Sequence, residues 1–192
     1  MTAAAPIAPG TTLGSTSGGS PRDALACPTG ELPIGLAFDL TDNPIDNHGN
    51  QRLVSGVRLA CGTIDLVDGV AQLTATTEVA LRGGSGGNCS DYFPFTASAL
   101  AQCPPGQVMV GLDGNRPDDV LFNNVGLRCA ALSPTAAVGA DVTTVPVAGT
   151  GTDGNAPQTA TCPAGTALIE LRPNAGCGVD GLTLACAALT CG

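Results

Sequence analysis

Three stretches of this chain open on Cys-Pro-x-Gly and close on a cysteine. Cys27-Pro28-Thr29-Gly30 leads to Cys61, Cys103-Pro104-Pro105-Gly106 leads to Cys129, and Cys162-Pro163-Ala164-Gly165 leads to Cys186. Inside each stretch an apolar run is followed by a polar connection. A returning run of the form Val-x-Gly-(Val/Leu)-x-Leu-x-Cys, or a near variant of it, completes the unit. Self-similarity of this kind is the signature of internal repetition, and it predicts three copies of one supersecondary unit.

The unit reads as a β-hairpin. Pro restricts φ and Gly permits dihedrals closed to other residues, so Cys-Pro-x-Gly marks a turn. The runs after it, such as residues 32–40 and 107–112, have strand character, and the returning runs alternate with period two. A disulfide between the two cysteines of each unit would close the hairpin at its open end and hold its register. The expected pairs are therefore Cys27 with Cys61, Cys103 with Cys129, and Cys162 with Cys186. Cys89, Cys177 and Cys191 are left over, an odd set that leaves one thiol free or paired between molecules.

A strand pair and a Gly-rich segment follow each of the first two closing cysteines, whereas only Ala187 to Gly192 follows the third. The missing part stands at the front, where residues 5–30 parallel residues 146–165. The chain is thus expected to be one domain over 1–192, with repeats at about 27–80, 103–148 and 162–192. The last repeat would be completed by an N-terminal strand from residues 1–26, which are expected to be ordered.

Asp118-Asp119-Val120-Leu121-Phe122-Asn123-Asn124-Val125-Gly126-Leu127-Arg128-Cys129 carries a family likeness. It resembles the vitelline membrane outer layer protein I family, whose three repeats place an acidic Asp-Asp pair and an Asn-Asn-(Val/Ile)-x-(Leu/Phe)-x-Cys end around a strand pair. The first and third copies match only the end of that pattern. The resemblance implies an all-β fold, a β-prism of the first type, in which three Greek-key sheets form the sides of a prism with pseudo-threefold symmetry. The family's Trp-Gly motifs are missing, since the chain contains no Trp.

Charge and residue usage narrow the function. Sixteen acids against seven bases give a formal charge of −9, which repels nucleic acid and anionic membrane surfaces. Nine cysteines without a Cys-x-x-Cys, and a single histidine, argue against zinc, haem and iron–sulfur centres. No metal and no cofactor is expected. Disulfides imply an oxidising compartment. No segment is long and apolar enough to insert in a membrane, and Met1 to Ala5 read as the start of a mature chain without its export signal. The expected location is extracellular, secreted or on a cell surface.

Catalysis is not expected. His48 sits among turn formers in Thr-Asp-Asn-Pro-Ile-Asp-Asn-His-Gly-Asn, and no Gly-x-Ser-x-Gly elbow occurs. Asp118 and Asp119 form an adjacent acid pair, but neighbours on a strand point to opposite faces. Gly-x-x-x-Asp, a motif of jacalin-like β-prism lectins, occurs at 35–39, 87–91, 114–118, 149–153 and 176–180. Tyr92 beside Asp91 is the best aromatic platform for a sugar, so the candidate ligand-binding residues are Asp91, Tyr92, Asp118 and Asp119. Asp39, Asp42, Asn43, Asp46 and Asn47 offer hard oxygens, but not at the spacing of an EF-hand. Two non-catalytic roles follow: a structural or adhesive element of an extracellular surface, matrix or fibre, and a lectin-like carbohydrate-binding module. The partners would be glycans or further copies of the chain. A carbohydrate-active enzyme, implied by the family's suspected link to chito-oligosaccharides, ranks last.

Overall fold

The computed structural model describes residues 1–4, 7–15, 19–42, 52–68, 70–82, 95–115, 124–148 and 157–191. Strands in chain order are β1 (Thr2–Ala3), β2 (Ala8–Gly14), β3 (Ser20–Pro21), β4 (Leu25–Ala26), β5 (Leu32–Asp42), β6 (Arg52–Val67), β7 (Val70–Arg82) and β8 (Phe95–Ala97). They continue with β9 (Ala101–Gln102), β10 (Gln107–Asn115), β11 (Asn124–Leu132), β12 (Val138–Ala148), β13 (Pro157–Thr161), β14 (Ala167–Ala175), β15 (Val179–Ala187) and β16 (Leu189–Thr190).

Three antiparallel sheets result. The first runs β7-β6-β5-β8, with β9 also on β5; the second runs β12-β11-β10-β13; the third runs β2-β15-β14-β3, with β4 also on β14. The inner strands β5, β10 and β14 touch one another pairwise. The fold is a β-prism of the first type, all-β among the described residues.

Register makes the three walls equivalent. Each inner strand carries a bulge one residue after the partner of the closing cysteine. Pro33, Met109 and Leu168 face Cys61, Cys129 and Cys186, and Gly35, Gly111 and Glu170 then face Ala60, Arg128 and Ala185. One step further, Leu36 pairs with Leu59, Leu112 with Leu127, and Leu171 with Leu184. All six leucines are at most 1% exposed and belong to one core cluster. An aliphatic pair from each wall therefore meets on the prism axis. This layer does the packing that aromatic rings do elsewhere.

The Cys-Pro-x-Gly turns also repeat in detail. Glu31 N–H donates to Pro28 O, Gln107 N–H to Pro104 O, and Thr166 N–H to Pro163 O, at 3.0, 3.0 and 3.1 Å. Gly30, Gly106 and Gly165 sit at the third position with φ of 88°, 78° and 78°, the requirement of a type II turn.

The disulfides pair as expected: Cys27 with Cys61, Cys103 with Cys129, and Cys162 with Cys186. Their role differs from the expected closure of a single hairpin. The residues just before each Cys-Pro belong to the preceding wall. Leu25 pairs with Leu171 in the third sheet, Ala101 with Leu36 in the first, and Ala160 with Leu112 in the second. The opening cysteine thus leaves one sheet and bonds to a strand of the next, and the three bonds run round the prism from third to first, first to second and second to third. Of the leftover cysteines, Cys177 is disulfide-bonded and Cys191 is free and exposed. Cys89 lies outside the described residues.

The N-terminal segment enters the third sheet. β2 pairs with β15, Leu13 facing Leu182, and Leu13 is fully buried. A second apolar cluster holds Leu32, Val108, Ala167 and Leu189, with Met1 packed on it. Here β1 pairs with β16, and the Met1 ammonium donates to Ile64 O at 2.9 Å.

Candidate functional site

The Gly-x-x-x-Asp motifs that lie wholly within the described residues are Gly35–Asp39 and Gly176–Asp180, and both turn their acids inward. Asp180 is 4% exposed, and its Oδ2 accepts from Gly176 N–H at 2.9 Å. The N-terminal segment wraps this turn. Ser15 N–H donates to Asp180 O at 2.8 Å, and Arg22 Nε donates to Ala175 O at 3.1 Å. Gly19 has φ of +60°, and a Cβ there would run into Asp180 Oδ2 and the Ala175 backbone. Asp39 is likewise buried, its Oδ1 3.2 Å from Arg58 Nε. That guanidinium also meets Glu78 Oε2 through Nη1 and donates to Ser98 O through Nη2.

Neither acid is presented to solvent, so both serve the fold. The remaining sequence candidates, Asp91, Tyr92, Asp118 and Asp119, lie outside the described residues, as do Asn43, Asp46, Asn47 and His48. No group of three or more His, Cys, Asp or Glu side chains is placed to hold a metal among the described residues.

A different constellation stands on the outer face of the second sheet. Asp113 on β10 faces Gly126 on β11 and Thr159 on β13, and Arg128 on β11 faces Thr144 on β12. The Asp113 carboxylate accepts from Arg128 Nη1 at 2.9 Å through Oδ1, and at 3.3 Å through Oδ2. Thr159 Oγ1 donates to its Oδ1 at 2.8 Å, and Thr144 Oγ1 to its Oδ2 at 2.9 Å. Side chains from three strands thus converge on the carboxylate of a fourth.

The geometry fixes proton direction. An ionised carboxylate only accepts, so both threonine hydroxyls point their protons at Asp113. Their lone pairs are turned outward as acceptors. They border a groove of about 390 Å³ lined by Asp113, Asn115, Gly126, Thr144, Gln158 and Thr159, among others. Gln158, next to Thr159 on β13, turns to the opposite face, where its Oε1 accepts from Gly14 N–H of the third sheet at 2.9 Å. Gly126 forms part of the lining, and a Cβ there would press on Thr144 Cγ2 at 2.9 Å.

Sequence reasoning missed this row. The signal that could have found it is departure from the repeat: the register positions of Asp113 in the other walls hold Ala37 and Arg172, and those of Arg128 hold Ala60 and Ala185.

The sequence matches no family model and no curated protein. Solved structures do match, over nearly the whole chain. Calsepa lectin in complex with a biantennary N-glycan aligns over 97% of this chain and 100% of its own, at TM-score 0.55 and 14% identity. Calystegia sepium agglutinin aligns over 96% and 97%, at TM-score 0.55 and 11% identity. Calsepa lectin with a bisected glycan aligns over 94% and 97%, at TM-score 0.52 and 11% identity. These neighbours are lectins, so the likeness to the vitelline membrane family holds at the level of the fold and not of that family. What the chain shares with them is the three-walled β-prism.

Proposed function

We propose that this chain is a secreted, non-catalytic, lectin-like module that binds neutral glycans through the outer face of its second sheet. The carrying observation is the Asp113 row, which sets two outward acceptors, Thr144 and Thr159, on an open groove. Sugar hydroxyls donate as well as accept, and a vicinal pair of them matches two adjacent acceptors. The groove has small apolar walls in Pro146 and Pro157, against which the C–H face of a pyranose can pack. Calsepa lectin, of the same fold, is solved in complex with a biantennary N-glycan, which supports the reading by analogy of fold.

The acidic balance disfavours anionic partners. The clasped walls suit an oxidising, extracellular setting. We take residues 1–192 as one domain of three repeats, with Asp91, Tyr92, Asp118 and Asp119 as further glycan contacts. An adhesive role on a surface or matrix then follows from glycan binding itself.

An array of neutral glycans tests this with the wild type, Thr144→Val/Thr159→Val and Tyr92→Ala. Specific hits weakened by the double valine variant support the reading, and their loss in Tyr92→Ala adds Tyr92 as a contact. An array that stays blank, or hits indifferent to the double variant, would refute the assignment to this face.

A further inference from the structure

The groove beside Asp113 does not stand alone on its wall. A second depression of about 220 Å³ lies on the same sheet, lined by Arg128, Val138, Ala140, Val142, Pro163 and Thr166, among others. The two lie end to end along the strands. On β10 the first reaches Asp113 and the second Val110, and on β12 the first reaches Thr144 and the second Val142. Two to three strand residues span about 7–10 Å at about 3.3 Å each. That is longer than one sugar ring.

Arg128 is the divider. Its Nη1 is held by Asp113 of the first groove, and its side chain lines the second. The guanidinium is underused. Nε is buried without a hydrogen-bond partner, and only Nη1 is engaged among the described residues. Arg58 in the first wall engages all three of its nitrogens. A buried unsatisfied donor is costly in a finished structure and calls for an explanation. The buried Nε is out of a ligand's reach, but the side chain is 25% exposed and its Nη2, which no described residue engages, can donate to a ligand oxygen lying across the divider.

The character of the surface changes across Arg128. The first groove is bordered by hydroxyls and amides, whereas the second has valines, alanines, Gly139 and the Cys162-Pro163-Ala164-Gly165 turn. At Gly165 a Cβ would meet nothing within 4 Å, whereas at the matching Gly106 it would meet Val70 Cγ1 at 3.7 Å. The second wall is therefore open where the first is partly filled.

We infer that the two grooves form one extended site for a linear neutral oligosaccharide. One ring sits on the Asp113 row, a bridging oxygen accepts from Arg128, and the following rings lie with their C–H faces on the Val138, Ala140 and Val142 floor. This rests on the glycan reading above and adds chain length as the specificity determinant. A neutral chain fits better than an acidic one, because Asp113 already balances Arg128 and the chain as a whole is strongly acidic.

Titration calorimetry tests it with linear series from monosaccharide to tetrasaccharide in gluco, manno and galacto configuration. The comparison is between wild type and Ala140→Leu/Ala164→Leu, which fills the second groove from exposed positions outside the Asp113 row. The expected result is affinity rising at least tenfold with chain length in one series. The double variant would abolish the rise while leaving the monosaccharide affinity unchanged. Equal affinity for all lengths, or a rise untouched by the variant, overturns the extended site and leaves the glycan reading standing. No binding in any series overturns both.

Discussion

Cys162 leaves the second sheet at the end of β13 and is bonded to Cys186 on β15 of the third, so this covalent link crosses a seam between walls. With Cys27–Cys61 and Cys103–Cys129 it makes a closed circuit of three sheets. Replacing Cys103 and Cys129 together with Ala is expected to cost about 2–4 kcal/mol, as for other disulfides closing a loop of this order. Denaturant unfolding of the variant beside wild type measures it. Peptide mapping without reduction should recover the three inter-sheet pairs, and thiol labelling of the native protein should mark Cys191.

The axial leucines carry the core. Leu112 is fully buried against Leu127. Leu112→Ala should destabilise by about 2–5 kcal/mol. The same change at Leu36 or Leu171 should cost a similar amount, because the register places all three alike. Thermal melts of the three variants check the equivalence, and one outlying value would break it.

Thr144 and Thr159 should matter for binding and little for folding. Each valine variant removes a hydroxyl while keeping the shape of the side chain. If both hydroxyls face the sugar, each loss weakens glycan affinity about tenfold, which corresponds to about 1.4 kcal/mol. Calorimetry against the best array ligand reads the affinity, and melting temperature reads the fold.

Gly19 is constrained twice, by φ of +60° and by its approach to the Gly176–Asp180 turn. Gly19→Ala should destabilise by at least about 1–3 kcal/mol. Loosening of the turn should appear as faster amide exchange at Gly176, whose N–H is held by Asp180.

Cysteine pairing, turn position and the wall count were legible because each depends on local chemistry repeated three times. A type II turn needs its glycine at one position, and Gly30, Gly106 and Gly165 supply it. The crossing of the disulfides between walls was not legible. It depends on β4 and β9, two-residue strands too short to show periodicity. The polar row was hidden for another reason: Asp113, Arg128, Thr144 and Thr159 come from four strands spread over 46 positions and meet only across the sheet. The adjacent acids 118 and 119 drew attention by proximity in sequence, which says little about who shares a face. Asp39 and Asp180 matched a lectin motif by spacing, yet burial gives them structural partners instead.

Thr2 pairs with Thr190, and Ala3 with Leu189, so both extremities of the chain lie side by side on one short ribbon. Splicing them through a brief linker would leave every wall intact, and the backbone could then be opened at another connection. The molecule is in this sense a loop without a preferred origin, and a cargo fused at either extremity would hang from the same corner of the solid.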